Sequence, residues 1–197
     1  QVLDMHGLLV AFEGLDQSGK QTQAERLRDR LTGRRRDVTM FSFPDYETAI
    51  GAELGHALAG ERSYEPEAMQ LLYVANRYEW KQRMLDARAG GTILLCDRYL
   101  ASSVAYGEAQ GLDAAWLVEI QKYLPQPDLT ILLDISPDES ARRKRVGRDT
   151  YERDLGLLAR VRESYLRQAV SGWVRIDAER PQGAVTADVF AAVDRTL

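Results

Sequence analysis

The stretch Phe12-Glu13-Gly14-Leu15-Asp16-Gln17-Ser18-Gly19-Lys20-Gln21-Thr22 sets two glycines around four residues, with a lysine directly after the second. This G-x-x-x-x-G-K spacing is the pattern of a loop that wraps phosphates. Glycines let the backbone turn tightly, so that successive N–H groups point inward at an anion. A helix starting near Lys20 adds its positive N-terminal end, and Lys20 itself supplies a point charge. The flanks agree with this reading. Gly7 to Phe12 is an apolar run that predicts a buried strand, and Gly19 to Thr32 predicts a helix with Ala24, Leu27 and Leu31 on one face. One position departs from the pattern. The residue after the lysine is usually Ser or Thr, whose hydroxyl touches Mg²⁺; here it is Gln21, with Thr22 one place later.

Working outward, strand and helix patterns alternate to the end of the chain. Strands are expected at Val38–Phe43, Thr92–Cys96, Leu129–Leu133 and Trp173–Ile176. Between them, helices are expected over 47–59, from Pro66 to Gly90-Gly91, over 102–124 with a break near Gly111, from Pro137 into a basic segment, over 149–171 and over 185–197. Five short apolar strands with helical crossovers predict an α/β fold: a five-stranded parallel sheet with helices on both faces, of the P-loop NTPase type. In such sheets ligands lie outside the carboxyl ends of the strands. The glycine loop, Phe43-Pro44, Asp97-Arg98 and Asp134 all fall at strand ends, so they are expected to converge on one cleft.

Composition narrows the function. A chain of 197 residues with 45% apolar content fits one compact domain, 1–197, with a real core. Its net charge of −4 provides no global basic field, so nucleic acid is not the expected partner. No apolar run approaches the ~20 residues of a membrane span. Cys96 is the sole cysteine, which excludes an intrachain disulfide and suits a cytoplasmic protein. Residues 1–6 read as a leader or a remnant, and Met5 could be the natural start. His6 and His56 have no identifiable partners.

Several constellations could carry chemistry. After the third strand, Asp97 can hold Mg²⁺ through water and Arg98 can grip a phosphate in a bidentate fork. Lys144 with Arg142, Arg143, Arg145, Arg148 and Arg153 forms a basic run between two helices; beside a phosphate loop it reads as a short lid over residues 142–154. Tyr73 and Arg77 share a helical face, with Asn76 adjacent, so an aromatic ring and a donor could stack on and read a base. Two anionic ligands meeting at the strand ends would need little general-base chemistry, because a phosphate dianion is already nucleophilic. Alignment and charge neutralisation would suffice.

In these motifs the chain resembles the thymidylate kinases, over about Leu8 to Asp177. The resemblance rests on the glycine loop with Asp16 inside it, on Phe43-Pro44-x-Tyr46, on Leu71-Leu-Tyr-Val-Ala-Asn-Arg77, on Asp97-Arg98-Tyr99-x-x-Ser102 with Ala105-Tyr106, and on Tyr151-Glu-Arg-Asp154. It implies transfer of a phosphoryl group from ATP to dTMP, with Mg²⁺ as cofactor, in a homodimer. The loop from Gly14 through Leu15, Asp16, Gln17, Ser18, Gly19 and Lys20 to Gln21 and Thr22 would hold ATP, with Arg143 against adenine. Asp16 would bind the 3′-hydroxyl of dTMP, and Phe43 and Tyr46 would border its sugar and phosphate. Tyr73 would stack on thymine, Arg77 would bond it, and Ser102 and Ser103 would lie near the base edge. Tyr106 would crowd the 2′ position, and Tyr165 would lie near that pocket. Asp97 would serve Mg²⁺, Arg98 the acceptor phosphate, and Arg148 and Arg153 the transferring group.

Two features depart from the family pattern: Gln21, and Asp45 where some members carry a basic residue. Two other classes remain open from sequence. One is a kinase of the same fold for another nucleotide or a deoxynucleoside, in which Glu13 could pass for the general base. The other is a nucleotide-binding switch without transfer activity.

Overall fold

The computed structural model describes residues 7–144 and 151–197, with the backbone alone over 151–154. Five strands alternate with helices among them. The order is β1 (Leu9–Glu13), α1 (Lys20–Gly33), β2 (Val38–Ser42), α2 (Ala49–Leu58), α3 (Pro66–Tyr78), α4 (Lys81–Ala89), β3 (Ile93–Asp97), α5 (Leu100–Ala109), α6 (Ala114–Glu119), β4 (Leu129–Asp134), α7 (Pro137–Arg143), α8 (Tyr151–Gln168), β5 (Trp173–Asp177) and α9 (Gln182–Asp194). All strand pairs are parallel, in the order β2-β3-β1-β4-β5. The expected five-stranded parallel sheet is therefore present.

The pleat of β1 and β3 sorts their side chains between two cores. Val10 and Phe12 of β1 and Ile93 and Leu95 of β3 join one cluster with Ala24, Leu27 and Leu31 of α1 and residues of α5, α8 and α9. Leu9, Ala11, Leu94 and Cys96 point the other way, to Phe41, Phe43, Met84 and Tyr99. Helices thus cover both faces, as a parallel sheet requires. β1 is buried at every position, between β3 and β4. The chain leaves β1 for β2 and β3 on one side and then crosses to β4 on the other. That reversal opens a crevice at the carboxyl end of β1.

One helix differs from expectation, and another breaks near Gly111 as expected. The helix expected from Pro66 to Gly90 is two helices, broken at Glu79-Trp80. The N–H of Trp80 donates to the Arg77 carbonyl at 3.1 Å, a tightened last turn. The Trp80 ring packs edge-on against Phe41, with centroids 5.9 Å apart. The bend lets α4 send Met84 beneath the sheet while α3 turns Arg77 toward the strand ends. The segment expected as helix over 102–124 starts at Leu100 and breaks after Ala109. Gly111, at φ 90°, reverses the chain there before α6.

Candidate active site

The loop between β1 and α1 takes its shape from backbone conformations few residues tolerate. Gly14 has φ 142°, and a Cβ there would lie 2.4 Å from the Leu133 carbonyl oxygen of β4. Gly19 has φ 95° and Gln17 has φ 64°. The first turn of α1 opens directly on this loop, leaving its N–H groups unpaired within the helix. Lys20 is only 7% exposed. Its Nζ donates to the carbonyls of Leu15 at 2.8 Å and Gly14 at 3.3 Å. Burial, then repulsion from Arg98, pulls the Lys20 pKa down to about 7, against the attraction of Asp97 and Asp16.

A cavity of about 660 Å³ lies over this loop. Asp16 through Gln23 line it, with Asp97, Arg98 and Arg143. Arg143 spans its rim: Nη1 donates to the Gln17 carbonyl at 3.1 Å, Nη2 to the Ala178 carbonyl at 3.0 Å and Nε to Glu139 at 2.6 Å. Gln21 turns along α1, donating to Glu25 at 2.9 Å, and both it and Thr22 line the cavity. Ala178, Arg180, Gln182 and Val185 complete the wall and were missed by the sequence reading. The strand-end rule could have found the first three, because they follow β5. Burial raises the Asp97 carboxyl above its usual range, although Lys20 and Arg98 oppose this. Among the described residues no three His, Cys, Asp or Glu side chains are grouped to hold a metal.

A second cavity, of about 410 Å³, opens beside the first. The structure brings Asp16, Phe43, Tyr46, Tyr73, Arg77, Arg98, Ser102, Ser103 and Tyr106 together around it, as expected. Leu58, Met69, Gln70 and Gln110 also line it and were not anticipated. Arg77 is 3% exposed; its Nη1 donates to Ser103 Oγ at 2.6 Å and Gln121 Oε1 at 3.3 Å. Asn76 does not face this cavity. Its carboxamide clamps the turn after Phe43-Pro44, accepting from the Asp45 N–H at 2.7 Å and donating to the Asp45 carbonyl at 3.1 Å. Tyr165 is buried behind Arg98 rather than on the cavity wall.

Asp16 and Arg98 line both cavities. Arg98, at φ 63°, turns its guanidinium to Asp16 at 2.5 Å, the Gly14 carbonyl at 3.1 Å and the Tyr165 hydroxyl at 3.3 Å. Burial would raise the Asp16 pKa, but Arg98 and Lys20 outweigh it and hold the carboxyl below its usual value. Glu13 braces this arrangement from below. It is fully buried and accepts from the Tyr99 N–H at 2.8 Å, Ser102 Oγ at 2.6 Å and the Tyr165 hydroxyl at 3.3 Å. Glu13 lines neither cavity, so it does not stand where a general base would; Ser102 is likewise committed to it.

The basic segment is described only in part. Arg142 and Arg143 both bond Glu139. Arg145, Arg148 and the side chain of Arg153 lie outside the described residues, as do residues 1–6. His56, expected to lack a partner, pairs with Glu61 at the surface. No helix among the described residues is long and apolar enough to cross a membrane.

Comparison with known proteins agrees with this geometry. The family model described as thymidylate kinase matches residues 12–189. The probable thymidylate kinase of Pyrococcus abyssi is 40% identical over 175 residues, covering 84% of each chain. That of Pyrobaculum aerophilum is 36% identical, covering 95% of this chain and 97% of its own. The thymidylate kinase of Arabidopsis thaliana is 36% identical over 87% of this chain, which spans 65% of the plant protein. Among solved structures, thymidylate kinase from Candida albicans superposes with a TM-score of 0.78 at 27% identity, covering 96% of this chain and 92% of its own. Two adjoining cavities at the switch point of a P-loop sheet, and matches spanning nearly the whole chain, lead to one conclusion: this protein belongs to the thymidylate kinase family.

Proposed function

We propose that the two cavities hold the two substrates of thymidylate kinase tip to tip, ATP over the glycine loop and dTMP in the smaller cavity. The observation that carries this assignment is the pair Asp16 and Arg98, which line both cavities and so mark where donor and acceptor phosphates would meet. Family membership establishes the activity as that of a nucleoside monophosphate kinase acting on dTMP with ATP as donor; the residue roles are our reading.

In this reading the loop N–H groups and the start of α1 cradle the donor phosphates, and Lys20 neutralises charge that develops on the transferring group. Arg98 grips the acceptor phosphate and aligns it for in-line attack. Asp16 takes the sugar 3′-hydroxyl, Tyr73 stacks on the base, Arg77 donates to it, and Tyr106 crowds the 2′ position. Arg143 and the segment after β5 border adenine. Mg²⁺ in phosphoryl-transfer sites is held by one or two carboxylates, with phosphates and waters completing its shell. Asp97, which lines the same cavity as Thr22, fits that need. When bound, the ion would neutralise charge on the donor phosphates.

We further propose a single cytoplasmic domain that pairs as a homodimer. The free, buried Cys96 suits a reducing compartment, and Leu71 of α3 and Val118 of α6 are exposed apolar side chains that pairing could cover. Sedimentation at micromolar concentration tests this, since a monomer mass would contradict it. For the chemistry, turnover with ATP is compared for dTMP, dUMP, CMP and thymidine. Preference for dTMP is expected. Efficient phosphorylation of thymidine, or ATP hydrolysis unaffected by any acceptor, would overturn the assignment.

A further inference from the structure

Four buried side-chain polar atoms have no hydrogen-bond partner among the described residues: Arg30 Nη1, Trp80 Nε1, Arg77 Nε and Gln70 Oε1. The last two belong to residues lining the same cavity, the one assigned to dTMP. Leaving a buried polar atom unpaired is costly, and each such atom calls for an explanation. Gln70 and Arg77 lie two turns apart on α3, with Tyr73 between them on the same face. Both also approach α5: Arg77 bonds Ser103, and a Cβ built on Gly107 would lie 3.4 Å from Gln70 Cγ. Gln70 is 2% exposed, and its Oε1 has no hydrogen-bond partner among the described residues.

The chemistry of the pair is complementary. A guanidinium can only donate, so Arg77 selects a carbonyl on the base edge. A pyrimidine with a carbonyl at C4 carries a hydrogen on the adjacent N3, and that hydrogen needs an acceptor. We propose that Gln70 is this acceptor, its carboxamide oxygen taking the imide N3–H of the acceptor base while Arg77 donates to the neighbouring carbonyl. The carboxamide torsion is broad and roughly two-fold, and turning its oxygen into the cavity breaks no hydrogen bond to a described residue. Selection against cytosine then falls to Arg77, whose donors meet a C4 amino group there, while Gln70, whose carboxamide can also donate when turned over, supplies the contact at N3. This inference rests on the assignment of the smaller cavity to dTMP.

The test uses dTMP, dCMP and dTMP methylated at N3, with the wild-type enzyme and the variants Gln70→Met and Gln70→Glu. The wild type should favour dTMP over the N3-methyl analogue by at least about tenfold in kcat/KM, because one buried hydrogen bond is lost and a methyl group is forced against its acceptor. Gln70→Met, which keeps the volume, should raise KM for dTMP about tenfold with little change in kcat, and should shrink that discrimination to within about threefold. Gln70→Glu keeps an acceptor oxygen and should restore the discrimination. A wild type that accepts the N3-methyl analogue within about twofold of dTMP overturns the proposal without recourse to any variant. So does a Gln70→Met enzyme whose discrimination is unchanged. If the wild type phosphorylates none of the three nucleotides, the dTMP assignment of the cavity itself fails, and the role of Gln70 fails with it.

Discussion

The cavity we assign to the donor and the one we assign to the acceptor adjoin at the same edge of the sheet, yet they are built differently. More than half of the donor side's lining comes from one contiguous run, Asp16 to Gln23, in a loop shaped by positive φ at Gly14, Gln17 and Gly19. The acceptor side is gathered from separate segments, at positions as far apart as Asp16 and Gln110. Backbone N–H groups recognise polyphosphate whatever base it carries, and side chains are needed to tell one base from another. Charge is divided along the same line. Lys20 and Asp97 line the cavity assigned to the donor, Tyr73 and Arg77 line the one assigned to the acceptor, and Asp16 with Arg98 is held in common. Damage on the donor side should therefore slow the chemistry, whereas damage on the acceptor side should weaken binding of one substrate.

The largest expected effect is on the donor side. Lys20→Ala should lower turnover by about three orders of magnitude at saturating concentrations of both substrates, because a charge aimed at the transferring group acts mainly in the transition state. Single-turnover phosphorylation of dTMP is the check. A rise in KM for ATP with turnover intact would mean that Lys20 only binds, and the contrast between the two halves would be lost.

Arg77→Met comes next. Its Nη1 bonds Ser103 and Gln121 and its Nε has no partner among the described residues, so its loss should raise KM for dTMP about thirtyfold while leaving KM for ATP within about twofold. Equal changes in both constants would show that the two cavities are coupled through α3 and are not separate recognition sites.

What the sequence revealed follows the same division. A contiguous motif between a strand and a helix is legible because spacing alone carries its geometry, so Lys20, Asp16 and Gly14 were found at once. Asp97, Arg98 and Phe43 were legible through topology, since residues after parallel strands converge. Gln70, Met69 and Leu58 were not, because their role depends on how α2 and α3 lean over the sheet, and local periodicity carries no information on that. The bend at Trp80 was hidden for a related reason. Its cause is a packing contact with Phe41, far away in sequence. Glu13 was visible as a carboxylate after β1, but its commitment to Tyr99, Ser102 and Tyr165 emerges only when three distant segments meet. The segment from Ala178 to Gln182 was overlooked although the strand-end rule covers it.

The smallest effect is a pH dependence confined to the donor half. Lys20 has its pKa lowered to about 7 in the free protein, chiefly by burial and by Arg98. Triphosphate placed beside it restores the charged form, so at pH 8 binding must take up a proton. By linkage, affinity for ATP should fall about fivefold between pH 7 and pH 8, following the charged fraction of the free lysine, while affinity for dTMP changes much less. The sign is fixed by direction: a lysine depressed in the free state is charged below pH 7 and becomes neutral as pH rises through it, so weaker ATP binding lies on the alkaline side. Calorimetric titration of ATP in two buffers of different ionisation enthalpy reads the proton uptake directly. Lys20→Arg supplies the control, because a guanidinium stays charged across this range. If its ATP affinity fell with pH as steeply as that of the wild type, the proton would belong to another group, and the low pKa of Lys20 would have no part in donor binding.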